Sequence, residues 1–144
     1  GYTYIQQKKK LKHELQNLSR EEILQIKENY GSTPQGEIHQ TIDERVFSFT
    51  GDTTIDFLKN WTQPVSVLFM ETTFIDDKKS IAAAREWGHI HLDEWVHLLP
   101  TIPAEKIVII HLSARHSSRE VLETLDRKIP SEFRHKVEIF PRPF

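Results

Sequence analysis

A chain of 144 residues and 16.9 kDa is enough for one modest domain or one half of a larger one, and 38% hydrophobic against 28% charged residues is a soluble, core-forming balance. Nineteen Lys and Arg against 21 Asp and Glu leave a net charge of −2, which excludes a wholly basic nucleic-acid-coating protein but not a local basic patch. The absence of cysteine excludes a disulfide framework, a zinc finger of the Cys type and a Cys nucleophile.

In chain order, Tyr2-Thr3-Tyr4-Ile5 is rich in β-branched and aromatic residues and predicts a short strand. The basic run Lys8-Lys9-Lys10-Leu11-Lys12 follows, either a solvated charged turn or a contact for a nucleic-acid backbone. Ser19 with Glu22 three positions on is a capping box, opening a helix that Gly31 and Pro34 stop. Residues 31–44 are polar and turn-rich, a loop or ragged hairpin. From Arg45 strands and helices alternate. Val46–Phe49 is a strand, Ile55 to Trp61 a short helix, and the apolar Val65–Met70 a strand expected to be buried on both faces. Helices are predicted from Asp77 to Trp87 and from Leu92 to Leu99. Lys106–Ile110 is a third buried strand, Ser117 caps a helix to about Lys128, and Lys136–Phe140 closes as a strand. That alternation predicts an α/β layered sheet. The longest apolar runs are too short to span a bilayer and no signal peptide opens the chain, so an intracellular, cytoplasmic protein without a membrane partner is expected.

With no cysteine, the eight histidines are the main source of reactive side chains. The suggestive groups lie just past predicted strand ends, where α/β folds place their ligands. Asp52, in Gly51-Asp52-Thr53, either reaches a metal or caps the following helix. Glu71 emerges from an apolar strand and needs a partner: a histidine that it orients, or Lys78 or Lys79. His89 and His91 form an H-x-H that chelates only if extended; at a helix start the rings diverge and His91 caps or faces solvent. His97 lies on a predicted helix and reads as surface or packing. His111, leaving the third buried strand, is a metal ligand or a structural histidine. Arg115 and Arg119 either grip phosphate or pair with Glu120 and Glu123, and His116 reads as a loop histidine.

Taken in series, these segments resemble the C-terminal half of ribonuclease Z, the tRNA 3′-processing endonuclease family of the metallo-β-lactamase fold. Phe49-Thr50-Gly51-Asp52-Thr53 resembles that family's S-G-D-T motif, and Met70-Glu71-Thr72-Thr73-Phe74 its H-E-A-T-F motif. Gly88-His89 resembles the start of G-H-S-T, and His111-Leu112-Ser113-Ala114-Arg115 resembles H-F-S-x-R. The resemblance covers about residues 45–116 by motif, with separations of 37 positions from Asp52 to His89 and 22 from His89 to His111. It implies that Asp52 bridges two zinc ions, that His111 is a zinc ligand, that Glu71 supports a catalytic His89, and that Arg115 contacts phosphate. The sequence departs from the family at Met70, where the motif has His, and at Ile90-His91, where it has Ser-Thr.

The family's H-x-H-x-D-H motif has no counterpart here. A dinuclear zinc centre needs roughly four to six ligands on each metal, counting shared groups and water, so Asp52 and His111 would hold zinc weakly or not at all. The resemblance therefore implies one half of an αββα sandwich, with residues 1–44 connecting and residues 45–144 carrying the motifs. The missing N-terminal half is an expected partner, precursor tRNA the substrate, and a homodimer the intact state; the chain by itself is expected to be inactive. The alternatives are another hydrolase of that fold acting on small phosphodiesters or esters, and a non-catalytic partner domain.

Overall fold

The computed structural model describes residues 1–34 and 36–141. Its centre is a five-stranded sheet whose spatial order follows the chain: β1 (Tyr2–Leu11), β2 (His39–Phe49), β3 (Val65–Glu71), β4 (Ala104–Ile110) and β5 (Val137–Ile139). The pairs β2–β3, β3–β4 and β4–β5 are parallel, as crossover connections require. The helices are α1 (Arg20–Tyr30), α2 (Ile81–Glu86), α3 (Leu92–Trp95) and α4 (Ser118–Lys128), with short 3₁₀ turns between them. This is the α/β sheet that the alternating pattern predicts. No helix among the described residues is long and apolar enough to cross a membrane.

The chain divides into two compact units, one comprising Gly1–Tyr4 and the residues from Arg45 onward, the other Ile5–Glu44. The second unit contains most of β1, the start of β2, and α1. Its helix begins with the complete capping box of Ser19 and Glu22. The basic run is neither a turn nor a loop here: Lys8, Lys9 and Lys10 lie within β1, where Lys8 pairs with Glu44 and Gln7 hydrogen-bonds Asp43 at 3.3 Å. Cross-strand partners of opposite charge let a lysine-rich segment remain extended. The polar stretch 31–44, expected as a loop or a ragged hairpin leading into the next strand, is already strand from His39.

In the first unit, register decides which side chains share a face. Leu68 sits opposite Ile107, and Met70 opposite Ile109, and all four are buried with Val121, Leu125, Leu92 and Trp95 of the helices. Removing such side chains from water stabilises the fold by about 1.5–3 kcal/mol each. The alternate positions form the other face: Phe47 beside Val67, Phe49 beside Phe69, and Phe69 beside Val108. These are only half-buried. Tyr2 stacks on Phe49 at 5.5 Å and Tyr4 on Phe47 at 5.4 Å, while both tyrosines stay exposed. The expectation that Val65–Met70 is buried on both faces therefore fails within this chain, because helices cover one face and an aromatic layer lines the other.

The strand expected over Lys136–Phe140 is confined to Val137–Ile139, and two helices are also shorter than predicted. The helix expected from Asp77 starts only at Ile81, because the hydroxyl of Ser80 accepts the Ala83 N–H and sets the N-cap there. The helix expected over Leu92–Leu99 is α for one turn and then 3₁₀ over Val96–Leu98.

Candidate metal centre

The strands β2, β3 and β4 end at one edge of the sheet, and each delivers a polar group there. After β2 the chain turns at Gly51, whose φ of 64° favours a residue without Cβ. Thr50 anchors this turn: its N–H donates to the Phe69 carbonyl at 3.0 Å, and its hydroxyl accepts the Glu71 N–H at 3.1 Å. Asp52 follows, with its side chain 66% exposed and Oδ1 3.5 Å from His111 Nδ1. It does not cap the next helical turn, whose N-cap is Thr54.

Glu71 ends β3 fully buried, and both of its oxygens are engaged. Oε1 accepts from His89 Nδ1 at 3.1 Å and from the Ile90 N–H at 2.9 Å. Oε2 accepts from the Thr73 N–H and the Thr73 hydroxyl, both at 2.9 Å. The lysine alternatives fall away, since Lys78 lies 4.0 Å from Asp76 and Lys79 sits over the Trp87 ring at 4.1 Å. A carboxylate buried this deeply needs such compensation.

His89 is placed by Gly88, whose φ of 77° ends α2, and by its own N–H donating to the Ala84 carbonyl at 2.9 Å. Its ring meets Phe74 edge-on at 6.1 Å and lies 5.2 Å from the His111 ring. The H-x-H does not chelate. His91 is buried and serves as N-cap of α3: Nδ1 accepts the Asp93 N–H at 3.2 Å and Nε2 donates to the Asp76 carbonyl at 2.9 Å. His111 follows β4 with φ of 59°, a left-handed backbone uncommon outside glycine. Its Nδ1 lies 3.0 Å from the Thr73 hydroxyl.

Asp52, His89 and His111 each offer one ligand atom, and those atoms lie within 4.8 Å of one another. One carboxylate and two imidazoles at that spacing suit a transition-metal ion of the zinc type. The donor set therefore fits one metal, with positions left for water or for further ligands. Arg115 neither joins this group nor pairs as expected. Its guanidinium lies 5.1 Å from the Phe74 ring centre, Glu120 closes the Ser117 capping box, and Glu123 pairs with Arg119 at 2.7 Å. His116 is the loop histidine expected before the α4 cap, but its side chain is only 4% exposed, lies 3.8 Å from Asp76, and its Nε2 has no hydrogen-bond partner.

Thr73 and Phe74 are the site residues that sequence reasoning passes over. One bridges Glu71 to His111 and the other floors both His89 and Arg115. Their signal is membership of Met70–Phe74, the segment that resembles the H-E-A-T-F motif, in which only Glu71 is given a role.

A buried carboxylate behind one histidine, with a second histidine and an aspartate in ligand reach, defines a candidate divalent-metal centre at the end of a parallel sheet. Over 90% of its length the chain is 37% identical to tRNase Z TRZ1 of Arabidopsis thaliana, matching 46% of that protein. It is 28% identical over 95% of its length to the chloroplastic tRNase Z TRZ2 of the same plant, matching 38% of it. To the ribonuclease Z of Halalkalibacterium halodurans it is 32% identical over 65% of its length, matching 29%. The chain is thus a relative of the ribonuclease Z family, and it spans less than half the length of these curated relatives. Among solved structures, the metallo-beta-lactamase fold protein YhfI from Bacillus subtilis aligns with 75% of this chain and 44% of its own, at 15% identity and a TM-score of 0.47. No family model matches the chain.

Proposed function

We propose that this chain supplies part of a zinc-dependent endoribonuclease centre that removes 3′ trailers from precursor tRNA. The observation carrying this reading is the convergence of Asp52, His89 and His111 at the strand ends, with Glu71 buried behind His89. The relatedness to tRNase Z proteins supplies the substrate class. In this reading Asp52 and His111 would hold the metal, with further ligands supplied from outside the described residues. Bound zinc supplies Lewis acidity toward a phosphate oxygen and a water that ionises near neutral pH. His89 supplies the proton that the leaving oxygen needs; Glu71 holds its Nδ1 at 3.1 Å, which leaves Nε2 for that transfer. Arg115, held over Phe74, is offered to a neighbouring phosphate. Lys9 and Lys10, exposed in β1, are offered to the RNA backbone.

The aromatic sheet face fits the same reading. In one half of a two-sheet sandwich, the layer of Tyr2, Tyr4, Phe47, Phe49 and Phe69 is the surface on which the second sheet packs. The deciding experiment uses the protein carrying the full length typical of the relatives. Asp52→Ala is expected to abolish precursor-tRNA cleavage and to lower zinc content. Retained activity with full zinc would overturn the ligand assignment. Cleavage of a chromogenic phosphodiester but not of precursor tRNA would move the substrate to small phosphodiesters.

A further inference from the structure

We infer that Thr73 is a positioning residue: its hydroxyl passes the orientation imposed by Glu71 to His111, so that one buried carboxylate fixes which nitrogen of both histidine rings is left bare. The inference concerns ring tautomers in the protein itself and rests on the metal reading only for what the bare nitrogen then binds.

Hydrogen-bond arithmetic leaves little freedom. An ionised carboxylate only accepts, and Glu71 Oε2 lies 2.9 Å from the Thr73 hydroxyl oxygen. The hydroxyl has a single proton, and it goes to Glu71. What the oxygen turns toward His111 Nδ1, 3.0 Å away, is a lone pair. Nδ1 must then carry the hydrogen, and the ring's in-plane lone pair is at Nε2. The other oxygen of Glu71 takes Nδ1 of His89 at 3.1 Å, which leaves Nε2 bare there as well. The rings lie 5.2 Å apart, one tied to the carboxylate directly and the other through one hydroxyl.

The main chain adds to the restraint. His111 holds a left-handed φ of 59°, a conformation that for a residue with Cβ persists only when its surroundings enforce it. The Thr72 N–H donates to the Ile110 carbonyl at 3.0 Å, and the Ser113 N–H donates to the Thr73 carbonyl at 3.1 Å. Thr73 thus grips the segment around His111 by backbone and side chain together. Asp52 Oδ1 is the competing acceptor for His111 Nδ1, but it is farther, at 3.5 Å, and its side chain is 66% exposed.

The test measures tautomers by long-range proton–nitrogen correlation in metal-free protein with 15N-labelled histidine, at about pH 8, above the ordinary histidine pKa. Native protein and Thr73→Ser are expected to show His111 as the Nδ1–H form. Thr73→Val keeps the β-branched shape without the hydroxyl, and there the Nδ1–H form should fall to a minority. If the valine variant does not fold, Thr73→Ala set against Thr73→Ser makes the same comparison. An Nε2–H ring in the native protein, or an unchanged Nδ1–H ring without the hydroxyl, overturns the inference. Zinc titration of protein carrying the full length typical of the relatives gives the second readout: affinity in Thr73→Val should fall about 10-fold or more while Thr73→Ser restores it. A native Nδ1–H His111 in a full-length protein that binds no zinc would sink the metal reading and leave the relay standing. Unchanged zinc affinity together with an unchanged tautomer would sink the relay alone.

Discussion

His89 has two qualifications that are usually separate: Glu71 behind its Nδ1, and Asp52 and His111 within ligand reach. The roles of proton donor and metal ligand part under substitution. In the full-length protein His89→Ala should lower cleavage by about 10²–10⁴-fold, as loss of a general acid does, with zinc content retained. Zinc lost in proportion to activity would make it a ligand instead. Glu71→Gln is a sharper probe of the buried carboxylate, because the new NH₂ group must face a donor on one side or the other. It should cost about 1–3 kcal/mol in denaturant unfolding, an effect absent if Glu71 were only an exposed strand-end charge. At this scale Asp52, Glu71, His89 and His111 were all legible in the sequence, because each follows a strand or a glycine turn. The roles of Thr73 and His91 were less so: nothing in Thr72-Thr73 says which hydroxyl turns toward His111, and capping was one of two uses open to His91. Buried His116, beside Asp76, was invisible because its burial depends on a loop 40 residues away.

Among the elements, α3 is a single α turn and depends on its start. His91 caps it with Nδ1 while Glu94 accepts the His91 N–H at 2.9 Å, and Glu94 is itself paired with Arg85 at 2.5 Å. His91→Ala should destabilise the fold by about 1–2 kcal/mol, as lost caps do, measured by chemical denaturation. A cost near zero would show that Trp95 and Leu92 hold the turn by packing alone. At the end of α4, Lys128 reaches Asp93 at 2.9 Å and Asp77 at 3.0 Å. Partial burial works against its charge, but hydrogen bonds and attraction from the two aspartates win, and its pKa is raised. A lysine raised in the folded state contributes stability that is complete below its unfolded pKa, about 10.4, and fades as pH climbs through the folded value. Lys128→Met should therefore lower the melting temperature at pH 7 and differ less from native protein near pH 11. The capping boxes of α1 and α4 were readable because Ser19 with Glu22 and Ser117 with Glu120 are local signals. The basic strand was not, since its pairing with Glu44 spans 36 positions.

For the molecule as a whole, the aromatic sheet face is the dominant physical fact. Two exposed tyrosines over three half-buried phenylalanines make an adhesive surface on a chain that carries only −2 net charge to keep copies apart. The 144-residue chain should bind a hydrophobic dye and self-associate as concentration rises, and Tyr4→Lys should weaken both. A monodisperse, dye-silent chain would mean that the face is already covered. The sheet itself was legible from the alternation of elements, but its one-sidedness was not, because a fully apolar run such as Val65–Met70 looks the same whether one face or two are covered. Strand order that follows chain order has one more consequence, and it concerns time. Each strand from β2 to β5 docks on the strand made just before it, and none waits for a distant stretch of sequence. Ribosomal synthesis could thus lay the sheet down strand by strand, with loop closure kept to one crossover at each step. The same stepwise docking would hold the strand-end residues in register as each strand is added.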